Sequence, residues 1–457
     1  MRTDNRLRKY VLSAALVLAL LAGAAAWGGT ASDSDAVTIM VMNGNDSGPN
    51  SLRDALSSAN NGDTIIFHPS VTVIALTSGE ISFSQTNITI DGGSGVTITN
   101  PGLGFRILDS TATTGALTLK GLIVENGYSI IGAGGGVRTY SQITIENCTF
   151  RDNTTSNSYN GGAVFGGSNV TMTDCTFTGN SAGWSGGAVF SLGRITMTDC
   201  TFTGNSAAKD GGAVFGGNVT MTDCTFTGNS AADEGGGAVH MRGGGRITMT
   251  NCGFWDNTSK SGTIDVDGRI TADNTTFFAN IITGAGGGVV KAEGSITLRH
   301  CTFTNNKMTS SSAYNAVGHS VSVQNCLMTK DGLTGNSNGA ISGTGNKLGT
   351  GTDNYAAWFG TNTFTDNYVL PLRGIADGAT VILGLEKDAA GNTRGNAGDP
   401  CLYGAVELPA GGGSTEGGAS GGGGGSMLLI GIAAAVIAGL AAAVLVLYKK
   451  GKLTRNV

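Results

Sequence analysis

Three carboxylates recur at a fixed spacing in the middle of this chain. Asp174, Asp199 and Asp223 each stand third in the same eleven residues, MTDCTFTGNSA, at 172–182, 197–207 and 221–231. Stacked one strand apart, about 4.8 Å, they could hold Ca²⁺, a hard cation that takes several oxygen ligands. The equivalent position in neighbouring repeats reads Asn147, Asn251, Asn274, His300 and Asn325. A tight corner selects that mixture, because Asn and Asp tolerate left-handed backbone. The corner is the preferred reading, so no metal and no cofactor is assigned; Ca²⁺ on the three aspartates is the alternative.

Seven of the eight cysteines share the position after this corner, and Cys401 stands apart. In an exported chain they invite a disulfide framework. Their place in the apolar alternation points them inward, and stacked, parallel Cβ directions make poor disulfide geometry. Buried thiols, packing as small hydrophobes, are expected instead.

Recognition chemistry falls between each repeat's Asn and the next Gly-Gly. There the sequence varies: TTSNSY, SAGWS, SAAKD, SAADE, TSKS, KMTSSSAY. Loops held on a rigid scaffold often carry binding. Tyr159, Trp184, Lys209 and Asp210 are expected to line one edge, where an aromatic ring stacks on a sugar or a partner surface. Drift in unconstrained loops accounts for the same variation. For catalysis the pattern is poorer. Arg138, Arg194, Arg242 and Arg246 are scattered and the four His lie far apart, while Thr occupies the outward strand positions. Adjacent acids at Asp233 and Glu234 read as a solvated turn, and no catalytic residue is assigned. Asn169-Val-Thr171 and Asn218-Val-Thr220 are glycan-acceptor sequons.

The elements that position these groups follow from the period. Gly-Gly-Ala-Val begins at Gly161, Gly186, Gly211 and Gly236, and Phe-x-x-Asn closes each unit, as at Phe177/Asn180 and Phe202/Asn205. A repeat of this length marks a solenoid. Within one unit Ile195, Met197, Cys200 and Phe202 are apolar with Thr between them, a period of two that belongs to strands. Asp199 interrupts the alternation by one residue, so the strand bends there. Gly186-Gly187 and Asn205 supply two further corners. Short strands and corners in this length make one coil of a parallel β-helix. Each residue then sits on its own copy one coil away. Cys, Phe and Asn form inward columns, and Asn amides can hydrogen-bond along theirs.

Regular units span 135–330, and 32–134 reads as less regular coils behind a cap. In SLRDALSSAN, Leu52, Ala55, Leu56 and Ala59 recur at helical spacing after Ser51, an N-cap residue. This predicts a short helix plugging the first coil against edge-to-edge pairing. Coils continuing to Val406 number roughly 14 at this period, with a terminal module inside 331–409.

Both ends point to membranes. Arg2, Arg6, Arg8 and Lys9 precede an apolar run from Val11 to Ala26, the layout of a secretory signal over 1–31, with an uncleaved anchor as the alternative. A Gly/Ser-rich tether fills 410–426. Met427 to Tyr448 is apolar and long enough to span. Lys449, Lys450, Lys452 and Arg455 in the tail 449–457 place that tail in the cytoplasm. Net charge is −5, no basic face stands out, and nucleic acid is excluded as a partner.

The paired GGA[VI] and FxxN motifs resemble the polymorphic membrane protein repeat of chlamydial surface proteins and adhesin-like proteins. NGNDSGPNSLRDALSSANNGDTIIF is similar to the opening of right-handed β-helix surface proteins, and Asp388 to Arg394 with Tyr403 to Glu407 looks like their last module. One departure is the end of the chain, an apolar helix-length segment where the chlamydial proteins carry an outer-membrane barrel. The resemblance implies a right-handed parallel β-helix; with the short N-terminal capping helix and the C-terminal transmembrane helix read from the residues themselves, the expected fold is an all-β solenoid carrying both. It implies an adhesin-like protein of the cell surface, binding cell-surface glycans or proteins without catalysis. A polysaccharide lyase or glycoside hydrolase on the same scaffold, and a structural spacer, are the alternatives.

Overall fold

The computed structural model describes residues 36–348 except 103, 234, 310–313, 329–334, 339–340 and 343–346. The signal segment, most of 331–409, the tether, the span Met427 to Tyr448 and the tail lie outside the described residues. Among the described residues no helix is long and apolar enough to cross a membrane.

One coil shows the construction. Ile195–Thr198 and Thr201–Thr203 lie in a first sheet, Ser206–Ala207 in a second and Val214–Gly216 in a third. The chain then returns as Val219–Thr222, paired parallel to Ile195–Thr198 with Ile195 opposite Val219 and Met197 opposite Met221. Repeated, this gives sheets of 23, 8 and 11 described strands. The third sheet runs from Ile81–Phe83 to Gly335–Asn338, one strand per coil. The first sheet extends one coil further at each end, with 13 paired rungs from Thr38 to Ser342; the rest of the roughly 14 coils expected to Val406 lie outside the described residues.

A coil therefore holds four strand segments rather than three, because the first sheet bends at the Asp corner and contributes two. Asp174, Asp199 and Asp223 sit there at φ of 53°, 52° and 53°, with Asn147, Asn251, Asn274, His300 and Asn325 equally left-handed. Short polar side chains are the non-glycine residues that accept this conformation most readily. In two earlier coils the chain passes the bend as single strands, Ile88–Thr99 and Ala116–Glu125. There Gly121 takes φ of 54°, and a Cβ on it would meet the Gly93 carbonyl oxygen at 2.2 Å.

The interior is a set of columns. Seven fully buried phenyl rings from Phe150 to Phe303 stack with centroids 4.5–5.0 Å apart. Beside them the Asn ladder satisfies a buried corner. Asn205 Nδ2 donates to Phe177 O at 3.0 Å and to Asn229 Oδ1 at 2.9 Å. Asn205 Oδ1 accepts from Asn180 N and Asn180 Nδ2, each at 3.0 Å. The same pattern runs from Asn153 to Asn306. Buried amides left unpaired would be costly, so each coil requires the Asn of the next.

The Gly-Gly corner has a steric cause. Gly186 takes φ of 70°, and a Cβ on Gly187 would lie 1.9 Å from the Gly212 carbonyl oxygen of the following coil. Only glycine allows coils to close up there.

The expected N-terminal helix is present as α1, Leu52–Ser58. Ser51 Oγ accepts from Asp54 N at 3.2 Å, and Leu52, Ala55 and Leu56 are buried. α1 packs against the strands Thr38–Val41, Thr64–Phe67 and Ile81–Phe83. Arg53 ties it down, donating to the Gly79 and Glu80 carbonyls at 2.7 Å and pairing with Asp46 at 2.8 Å.

Candidate functional site

The second sheet carries a concavity. Its strands are two to four residues long, and small residues alternate along them, Ser181, Ser206 and Ser230 outward and Ala182, Ala207 and Ala231 inward. With so little side chain above it, the sheet floors a groove of about 760 Å³ that runs along the coils from Tyr128 to Thr283. Ser206 Oγ donates to Ser181 Oγ at 3.1 Å, so hydroxyls are linked along the floor. Lys260 is the one charged side chain among the lining residues.

One wall ends at Gly183, Ala208 and Ala232, and the residues that follow the first two are Trp184 and Lys209 of the expected edge. Backbone pairing stacks them: Trp184 N donates to Tyr159 O at 2.9 Å, and Lys209 N to Trp184 O at 2.8 Å. Trp184 is 42% exposed. Lys209 Nζ lies 5.0 Å from its ring centroid, a cation–π contact. Lys209 also pairs with Asp233 at 2.7 Å, and Lys260 reaches the same carboxylate at 3.7 Å. The hydrogen bond with Asp233 raises the Lys209 ammonium above its ordinary value and lowers the carboxylate, so both stay charged. Tyr159, Trp184 and Lys209 thus come together beside the groove.

Asp210 does not join them. Its carboxylate is 4% exposed and bonds Arg242 Nη2 at 2.8 Å on the outer face of the third sheet. The chain reverses into the Gly211 corner immediately after Asp210, which turns the side chain away from the edge.

That outer face holds a cluster that sequence reasoning missed. Its outward column reads Phe165, Phe190 and Phe215, stacked at 5.5 and 4.9 Å, and then His240, Asp265 and Lys291 in register. Arg242 Nε donates to His240 Nε2 at 3.4 Å. Lys291 Nζ pairs with Asp265 at 3.5 Å and donates to Ser261 Oγ at 2.6 Å. Burial holds the His240 imidazole below its ordinary value, against the opposing pull of Asp265 and Asp210. Two buried carboxylates, a neutral imidazole and an arginine are an acid–base set. Aligning the residue after each Gly-Gly-Ala-Val would have exposed the change from Phe to His.

The remaining candidates are structural in their surroundings. Among the described residues no group of three or more His, Cys, Asp or Glu is arranged to hold a metal ion. The Asp174, Asp199 and Asp223 corner is exposed, and its left-handed backbone accounts for its residue types. The seven cysteines from Cys148 to Cys326 are buried thiols rather than disulfides. Each thiol donates to the carbonyl two residues before it, as Cys200 does to Thr198 O at 3.2 Å. Cys401 lies outside the described residues.

A family model described as the right-handed β-helix region matches residues 57–215 and 193–348. The chain belongs to the right-handed β-helix family. The match supplies the handedness of the coils. A solved structure of pectate lyase Pel9A is similar to this β-helix over 82% of this chain and 97% of its own, at 15% identity and a TM-score of 0.42. No curated protein matches the chain significantly.

Proposed function

We propose that this β-helix is a cell-surface, adhesin-like protein that binds extended glycans along the groove of its second sheet, without turnover. The groove carries the reading. It is long, open and floored by hydroxyls that can exchange hydrogen bonds with sugar hydroxyls. Its Ala and Gly positions let a polymer approach the backbone. Trp184 offers one ring face beside it, and a pyranose C–H face stacks on such a ring. Loop residues on a rigid scaffold give geometry without ordering cost. Display at the surface through Met427 to Tyr448, and kinship with the polymorphic membrane protein repeat, rest on sequence.

A second reading, polymer cleavage, is favoured by the Asp210, His240, Arg242 and Asp265 cluster. One experiment addresses both. Full-length protein is incubated with a panel of neutral and acidic polysaccharides, and retention and new chain ends are read from the same wells. Retention without new ends, weakened in Trp184→Ala and unchanged in His240→Ala, supports glycan binding. New chain ends lost in His240→Ala support cleavage. Neither signal on any polymer leaves a spacer.

A further inference from the structure

On the outer face of the first sheet one position is threonine in every coil from Thr38 to Thr297. Ten successive parallel pairs link these eleven residues. Ser322 and Ser342 continue the column. The run passes through the N-terminal coils, whose other residues share little with the central repeat, so duplication of one coil does not account for it. Strand propensity does not either. Two residues along the same strands, the outward position accepts Asp91, Lys120 and Glu146 in the early coils and Asp273, Arg299 and Gln324 in the late ones.

In the middle of the rod that second column also becomes threonine, at Thr173, Thr198, Thr222 and Thr250. With Thr171, Thr196, Thr220 and Thr248 these form an uncharged lattice of four coils by two columns. All eight are at least partly exposed, and none of their hydroxyls has a protein hydrogen-bond partner among the described residues. The coils beneath are held at 4.8–4.9 Å by the buried phenyl stack. The two columns are separated by two residues of strand rise, about 6.7 Å. Thr is stiff about χ1, so methyls and hydroxyls are presented as a rigid, regular surface.

We propose that this face adsorbs to ice. Hexagonal ice presents water oxygens at closely similar repeats along two directions. A hydroxyl array of that spacing can fix a first water layer in register with the crystal. The side chains are already ordered, so little conformational entropy opposes adsorption. No charge on the lattice must be desolvated.

The test partitions dilute full-length protein between slowly grown ice and the remaining liquid, beside a non-binding control protein. Enrichment in the ice above the control is expected. Thr196→Lys with Thr220→Lys should lower that enrichment by at least about tenfold, and Trp184→Ala, on the other sheet, should leave it unchanged. Thr222→Lys with Thr250→Lys repeats the test should the first pair lower the melting temperature. Partition equal to the control overturns the proposal. So does enrichment that survives in a folded double-lysine variant, or that is lost in Trp184→Ala.

Discussion

Asn205→Ala isolates what binds one coil to the next. The Asn205 side chain is fully buried. It donates to Phe177 O and Asn229 Oδ1 and accepts from Asn180 N and Asn180 Nδ2, at 2.9–3.0 Å throughout. Alanine removes all four hydrogen bonds. At about 0.5–1.5 kcal/mol each, net of solvation, the loss sums to about 2–6 kcal/mol. Asn205→Asp keeps the acceptor but sets a buried charge against two acceptors, and should cost at least as much. Solenoid stability is a sum of repeats and their interfaces. The loss should therefore appear locally, as faster amide exchange in the coils around 180–229, as well as in the denaturation midpoint. Thr203→Ala, on the outer face, is the control and should stay within about 0.5 kcal/mol. An Asn205→Ala protein that denatures and exchanges like Thr203→Ala would refute the ladder as the joint between coils.

Ala279 holds φ of 56° at a corner that is Gly179, Gly204 and Gly228 in other coils. Ala279→Gly should stabilise by about 0.5–1 kcal/mol, read as a higher melting temperature; a lower one would contradict the strain. Gly187→Ala should destabilise by at least about 3 kcal/mol, because its Cβ meets the Gly212 backbone at 1.9 Å. Gly204→Ala, with open space around it and φ of 61°, should cost only about 1 kcal/mol; equal losses would refute the steric account. Burial pushes the Cys148 thiol from the ordinary value of 9.0 up to about 12. Cys148 should therefore resist alkylation in the native chain at pH 8 and react when denatured, and burial shields the other six thiols from reagent in the same way. Because the folded state favours the neutral thiol, stability is intact below pH 9 and falls as pH rises from 9 towards 12. Rapid native labelling, or stability that climbs across that window, would contradict the burial.

What could be read from sequence divides along a physical line. The Phe, Cys and Asn columns were legible because superposed repeats place like on like, and a ladder of identical residues needs no further geometry. α1 was legible from Ser51 and the spacing of Leu52, Ala55 and Leu56. The fourth strand segment was not, since a bend at a left-handed Asp looks like a corner between sheets until pairing shows both arms in one. At the edge, the adjacency of Tyr159, Trp184 and Lys209 was legible because backbone pairing stacks them in sequence order. Asp210 was misplaced because one residue more carries the chain into the Gly211 reversal. The His240 cluster gathers residues from four coils, and only register brings Asp210, His240, Asp265 and Lys291 onto one face.

The central claim is that several coils jointly form one binding groove, and ligand length tests it most directly. Seven rungs from Tyr128 to Thr283 at about 4.8 Å per coil give a groove of about 29 Å. Binding of full-length protein would be measured against a size series of oligomers from the best-retained polysaccharide. Affinity should rise with length and level off once the oligomer spans about 29 Å, with Trp184→Ala lowering the whole curve. Affinity that is independent of length, or unchanged in Trp184→Ala, would contradict the account.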